Sequence, residues 1–206
     1  MNKKILKTTG VLFLVFIIFT AFVGLNFFSR VDLLTTIIMQ GILPRVFDIP
    51  FSLLSLVGSA EIVSIFILIL WFIYRKLNII FVLINFAMFH VIELFSKSFI
   101  THLGPPHQFL RYYFPFNFPS SSVKPGSSFP SGHVGRTMFV SILLIFIVSK
   151  SSKLTKKQKQ LIFALIIIFD ILMALSRVYL GEHWLSDVIG GGFLGSAFGL
   201  VSLLTL

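Results

Sequence analysis

Read only for its runs of apolar residues, the chain is six long hydrophobic stretches separated by shorter polar ones. A membrane span needs about 20 mostly apolar residues, and the stretches near 9–28, 52–74, 77–97, 132–149, 160–179 and 186–205 meet that length. The second and third are joined by a short turn around Arg75-Lys76-Leu77-Asn78. Between the first and second lies SRVDLLTTIIMQGILPRVFDIP, residues 29–50, which mixes charge with apolar residues and holds Pro44 and Pro50. That mixture predicts a segment lying at the membrane interface rather than a span. Residues 98–130 contain Pro105, Pro106, Pro115, Pro119, Pro125 and Pro130 and read as a long irregular loop. Loops of that length in small proteins are functional or disordered. The first apolar run, Val11 to Phe28, exceeds a signal-peptide core, and no small-x-small cleavage site comes after it. A retained first transmembrane helix is therefore expected.

Composition agrees with lipid as the main solvent. The chain is 56% hydrophobic and 12% charged, with 26 Phe and a mean hydropathy of +0.99; a soluble domain carries about a quarter charged residues. One membrane domain over residues 1–206, an all-α bundle of six transmembrane helices, is the fold class expected. The formal charge of +10 and pI of about 10.2 would suggest nucleic acid in a soluble protein. Here the basic residues cluster between apolar runs, so they read as orientation and no nucleic-acid partner is expected. Lys3, Lys4 and Lys7 precede the first span, Arg75 and Lys76 separate the second and third, and Lys150, Lys153, Lys156, Lys157 and Lys159 separate the fourth and fifth. All fall on one side of a six-span bundle, the cytoplasmic side of the cell membrane by the positive-inside rule. Both termini are then cytoplasmic, and the 98–130 loop, the start of the fourth span and residues 176–187 face outward. Cysteine is absent, which excludes disulfides and thiolate metal sites.

Three outward-facing stretches carry residues suited to chemistry. In SSFPSGH, residues 127–133, Pro130, Ser131 and Gly132 suit a helix start, and His133 comes directly after them. A helix N-terminus also receives phosphate through unpaired N–H groups and the positive end of the dipole. In SRVYLGEHWLSD, residues 176–187, Arg177 closes the fifth span, and His183 and Asp187, four apart, share a helical face. A carboxylate on one imidazole nitrogen fixes the tautomer and leaves the other free to attack. The bland alternative for this pair is an N-cap beside an interfacial Trp184. In KSFITHLGPPH, residues 97–107, Lys97 lies at three-four spacing from His90 and Glu93, so Glu93 is placed to position Lys97. His102 and His107 read as loop histidines; no histidine pair has a ligand spacing with a third partner, so no metal or other cofactor is expected. Asp170, mid-span, reads as a buried carboxylate bonded to a hydroxyl on a neighbouring helix. Taken together, Lys97, Ser131, Gly132, His133, Arg177, His183 and Asp187 form a cationic anion pocket with two histidines and a carboxylate, as metal-free phosphoryl transfer requires.

PSGH at 130–133, then SR, five residues, His183, three residues and Asp187, resembles the second and third signatures of the type 2 phosphatidic acid phosphatase family. That superfamily also holds vanadium haloperoxidases and bacterial acid phosphatases; the membrane-spanning share of this chain argues against haloperoxidase activity. The resemblance covers about Lys97 to Asp187. It implies that His183 is the nucleophile forming a phosphohistidine, that Asp187 orients it, and that His133 is the general acid and then the base activating water. It further implies that Lys97, Ser131, Gly132 and Arg177 hold the phosphate. One position departs: where the family's first signature has Arg-Pro six residues after its lysine, this chain has Gly104-Pro105. Arg136 and Arg111 are the candidate replacements, with His102 a weaker third, and Arg136 is favoured because it lies one turn beyond His133. The expected substrate is a lipid phosphate or pyrophosphate. A lipid phosphotransferase using the same intermediate and a non-enzymatic lipid-binding or transport protein are the alternatives.

Overall fold

The computed structural model describes residues 2–111 and 127–205. Eight α-helices are described: α1 (Asn2–Gly24), α2 (Ser29–Ile42), α3 (Asp48–Val57), α4 (Ala60–Ile73), α5 (Ile79–Phe99), α6 (Gly132–Lys150), α7 (Lys156–Tyr179) and α8 (Leu185–Val201), with 3-10 turns at Arg45–Phe47 and His107–Phe109. No strand occurs among the described residues. Four helices, α1, α5, α6 and α7, are long and apolar enough to cross a membrane, and α2 with the Arg45–Val57 segment forms a fifth candidate bent by 101°. Their outer faces expose Leu14, Ile17, Leu94, Leu161, Ile168 and Ile171. A soluble monomer does not present so much apolar surface to water; this is a multi-pass membrane protein.

The expected second span, 52–74, is not one helix. It is split at Gly58-Ser59, and the reason is local: the Ser59 side chain accepts from Ile62 N–H at 3.3 Å, capping a new helix there. The helix that starts at this cap, α4, has 14 residues, or about 21 Å at 1.5 Å per residue. The last expected span is likewise shorter, 17 residues in α8. Residues 29–50 also differ from a simple interfacial segment. They fold as α2, a 3-10 turn and the start of α3, and α2 buries Asp32 and Thr36. The bend falls at Leu43-Pro44, where the helix ends with an extended Leu43, as expected for a residue preceding proline. The start of α7 is set by a capping box: Gln158 N–H donates to Thr155 Oγ1 at 3.3 Å and Thr155 N–H to Gln158 Oε1 at 2.8 Å.

The central helix is α8, which packs on α6 and α1 most extensively and also on α5 and α2. Its glycines permit this closeness. A Cβ on Gly195 would overlap the Gly135 carbonyl of α6, and one on Gly191 would overlap the Ser131 carbonyl. Small residues at four-residue spacing let the two backbones touch, and that contact fixes the start of α6 against the start of α8. An apolar core of Phe16, Val82, Phe89, Phe129, Phe139 and Leu194 lies around them.

Candidate functional site

The C-terminal end of α5, the N-terminal end of α6, the C-terminal end of α7 and the N-terminal end of α8 meet at one end of the bundle. His133, in the first turn of α6, has Arg177, Arg136, His183 and Lys97 near enough to act on it electrostatically. The three separated stretches therefore do converge on one site. His133 is buried, and its Nε2 has no hydrogen-bond partner. The hydroxyl of Ser131, fully buried, also lacks one. Buried polar groups without partners are rare because each costs about 1–3 kcal/mol, so two at one helix start make it a candidate place for a polar ligand.

His183 is held from α8. Its Nδ1 lies 3.3 Å from Asp187 Oδ2, and the same oxygen accepts from Trp184 N–H at 2.8 Å. The capping contact and the imidazole contact, rival readings in the sequence, are thus both made by one carboxylate. With Asp187 accepting from Nδ1, the proton sits there and Nε2 keeps its lone pair. Arg177 donates to Glu182 Oε2 at 2.6 Å and is fully buried. The Arg177 carbonyl accepts from His183 N–H at 3.3 Å, so the turn from α7 to α8 folds back on the arginine.

A second cationic pair lies across the site. Glu93 receives Lys97 Nζ at 2.7 Å on Oε1 and Arg136 Nη1 at 3.5 Å on Oε2. Arg136 Nε also donates to the Gly58 carbonyl at 2.8 Å. That carbonyl is available because the helix breaks there. A Cβ at Gly132 would lie 2.7 Å from Arg136 Nη1 and overlap Glu93, and one at Gly58 would press on the His133 ring at 3.1 Å from Cδ2. Three cations, Lys97, Arg136 and Arg177, therefore lie around the two histidines, with Glu93 and Glu182 paired to them and Asp187 bonded to His183.

Arg111 is elsewhere. Its guanidinium donates to the carbonyls of Gln40 at 2.9 Å and Leu43 at 3.3 Å and stacks over Tyr179, 5.0 Å from the ring centre. It closes the C-terminal end of α2 rather than joining the cluster around His133. Asp170 accepts from the Ser141 hydroxyl of α6 at 2.9 Å, the neighbouring-helix bond expected for it. Among the described residues no three His, Cys, Asp or Glu side chains are grouped to hold a metal ion.

Sequence reasoning missed three contributors: Gly58 supplies the carbonyl for Arg136, Glu182 pairs with Arg177, and Asp32 holds Ser186, the neighbour of Asp187. His102, weighed in the sequence only as a substitute phosphate ligand, lies 3.4 Å from Asp187 Oδ1. An acidic residue inside an apolar helix is itself a signal, and Asp32 stood in such a run.

The PAP2 superfamily model matches residues 75–206, well over half of the chain. The chain belongs to the PAP2 superfamily. His133, His183, Asp187 and Arg177 all fall within the matched segment, whereas Gly58 and Asp32 precede it. Among curated PAP2 relatives, phosphatidylglycerophosphatase B of Bacillus subtilis (strain 168) is 35% identical over 68 residues, 33% of this chain. The alignment spans about a third of that relative (34%). Among solved structures, the transmembrane PAP2-type phosphatidylglycerolphosphate phosphatase from Bacillus subtilis superposes with a TM-score of 0.76 at 22% identity, over 94% of this chain and 93% of that one. LpxE from Aquifex aeolicus gives 0.64 at 21% identity, over 84% and 94%. The bundle therefore has the fold of these two proteins, including helices outside the matched segment.

Proposed function

We propose that this chain is a membrane phosphatase that hydrolyses a lipid phosphate or pyrophosphate through a phosphohistidine on His183. The observation that carries the reading is the pairing of an oriented imidazole, His183 on Asp187, with a second imidazole, His133, whose buried Nε2 has no partner. In the first step His183 Nε2 attacks phosphorus, the phosphorus–oxygen bond to the lipid breaks, and His133, protonated for this step, gives its proton to the departing oxygen. In the second, His133 takes a proton from water, which attacks phosphorus and releases phosphate from His183. Lys97, Arg136 and Arg177 hold the equatorial oxygens, with Ser131 and the Gly132 backbone at the helix start; positioned cations of this kind are the main source of catalysis in phosphoryl transfer. The chemistry as written calls for no metal or cofactor.

The PAP2 family and the phosphatidylglycerophosphatase relatives support a phosphatidylglycerol phosphate substrate; phosphatidic acid and polyprenyl pyrophosphates present the same phosphate end. Basic clusters support a six-crossing arrangement in the plasma membrane with α4 and α8 as short crossings, both termini in the cytoplasm and the site facing outward. An apolar cavity supports a place for the tail. A cavity of about 330 Å³ lies between α4, α6 and α7, lined by Val63, Phe66, Val140, Leu144, Ile162 and Leu165. It starts at Val57 and Thr137, the neighbours of Gly58 and Arg136, and the exposed Phe66 and Leu165 open it toward lipid. Ile162 lies at its far end. Ile162→Trp is expected to raise KM several-fold for long-chain substrates and to leave a short-chain substrate unchanged; an equal change for both would remove the cavity from the reading.

The test of function is phosphate release from a panel of phosphatidic acid, phosphatidylglycerol phosphate and polyprenyl pyrophosphates in detergent with EDTA. Release of free phosphate without an added acceptor is expected, which also separates hydrolysis from phosphotransfer. Silence on the whole panel would refute it, and loss of activity on adding EDTA would restore a metal to the mechanism.

A further inference from the structure

Behind the His183–Asp187 pair lies a buried polar cluster that the two chemical steps do not use. Asp187 Oδ2 serves His183 and the helix cap, but Oδ1 is buried without a hydrogen bond. It faces His102 Nε2 at 3.4 Å. The same nitrogen lies 3.3 Å from Ser186 Oγ and 3.9 Å from Asp32 Oδ2. Ser186 in turn gives Asp32 both its donors, the backbone N–H to Oδ1 at 2.8 Å and the hydroxyl to Oδ2 at 2.7 Å. None of these residues is more than 5% exposed, so water does not substitute for any of them.

The proton positions are set by the partners. A serine hydroxyl has one hydrogen, and that of Ser186 is committed to Asp32. Its oxygen can then only accept, so His102 Nε2 must carry a hydrogen. That hydrogen points into the gap between Ser186 Oγ and Asp187 Oδ1. We infer that Asp32 and His102 are positioning residues for the nucleophile. Asp32 orients the Ser186 hydroxyl, Ser186 fixes the His102 N–H, and His102 restrains Asp187 so that Oδ2 stays aimed at His183 Nδ1. The inference rests on His183 being the nucleophile. It matters most when His183 carries phosphate: its ring is then positively charged, and a carboxylate that swung away would leave that charge unpaired. It also gives α2 a role, since Asp32 lies 154 residues from Ser186 and outside the segment matched to the PAP2 family.

Asp32→Asn separates this from a merely structural cluster. Asparagine has the same shape, and as a neutral amide it avoids the desolvation cost that a buried carboxylate carries. Its amide, however, donates where the carboxylate accepted. Ser186 must then turn its hydrogen toward His102, donor against donor, and the relay fails. The expected result is a fall in kcat of about 10- to 100-fold, the usual effect of losing a partner behind a ligating or reacting side chain, with KM within about twofold. His102→Gln, which keeps an N–H donor near the Nε2 position, is expected to hold kcat within about fivefold, while His102→Leu falls like Asp32→Asn. Ser186→Ala, which keeps the backbone bond to Asp32, provides a second variant should Asp32→Asn misfold, with a smaller loss in the same direction.

All are assayed on the panel lipid turned over fastest, beside His183→Ala and with melting followed in detergent. Wild-type kcat in Asp32→Asn, a change confined to KM, or equal losses in His102→Gln and His102→Leu would overturn the inference while an inactive His183→Ala left the nucleophile standing. An active His183→Ala would overturn both.

Discussion

His183→Ala is expected to release no phosphate above background and to take up none, whereas His133→Ala is expected to become phosphorylated and stay so. The two histidines sit in one cluster, yet the proposed steps separate their tasks in time. Without His183 there is no nucleophile, and a loss of at least about 10⁴-fold is the scale seen when a covalent catalyst is removed. Without His133 the first step suffers in proportion to how badly the leaving group needs a proton. A lipid alkoxide needs one, and a general acid contributes about 10²- to 10⁴-fold. An aryl phosphate does not need it, because phenolate leaves unaided. With such a substrate His133→Ala should complete the first step and stall at the second, where no base remains to deprotonate water. The phosphorylated protein, acid-labile and alkali-stable as phosphohistidine is, would accumulate to about one phosphate per chain. Steady turnover of the aryl phosphate by His133→Ala, with no phosphoprotein, would assign the acid and base to another residue. The alanine removes a ring that packs against Gly58, so folding is checked by gel filtration in detergent.

How far this site could be foreseen depends on how local each contact is. His183 and Asp187 are four apart, Glu93 and Lys97 four apart, and Arg136 lies one turn past His133; helical periodicity alone brings each set together. The same periodicity places most of the spans, because apolar runs report lipid contact directly. What the sequence hid are contacts across the bundle. Ser186 to Asp32 and Arg136 to Gly58 join residues 154 and 78 positions apart, and nothing in either segment names its partner. Gly58 also shows why a hydropathy reading merges helices: residues 52–74 are mostly apolar, and the Ser59 cap marks where the chain breaks and the Gly58 carbonyl is left for Arg136. Asp187 makes both of the contacts weighed for it in the sequence, to His183 Nδ1 and to the Trp184 N–H. The carboxylate that caps α8 is the one that contacts His183, so the cap is part of how the cluster is built.

Arg136→Ala is expected to cost about 10²- to 10³-fold in kcat/KM, the loss on removing one fixed donor to a developing oxyanion, and Arg111→Ala is expected to leave turnover near normal. The difference lies in their surroundings. Arg111 is spent on the Gln40 and Leu43 carbonyls and the face of Tyr179. Arg136 is clamped by the Gly58 carbonyl through Nε at 2.8 Å, with Nη1 3.5 Å from Glu93, which fixes its plane beside His133. Arg136→Lys would retain charge without the fork that satisfies two partners, and an intermediate loss is expected. The stronger test exploits the departure at Gly104. If Arg136 replaces the arginine that the PAP2 pattern has at that position, then Gly104→Arg should rescue Arg136→Ala. Gly104 has room for a side chain, since a Cβ there meets Ser128 only at 3.4 Å, ordinary van der Waals contact. Recovery of about tenfold in the double variant is expected, a little over 1 kcal/mol, with little gain from Gly104→Arg in the wild-type background, where the place is already filled. Normal turnover in Arg136→Ala alongside loss in Arg111→Ala would assign the phosphate to the other arginine. Additive effects, with no rescue, would mean that Arg136 serves Glu93 and the helix break rather than the substrate.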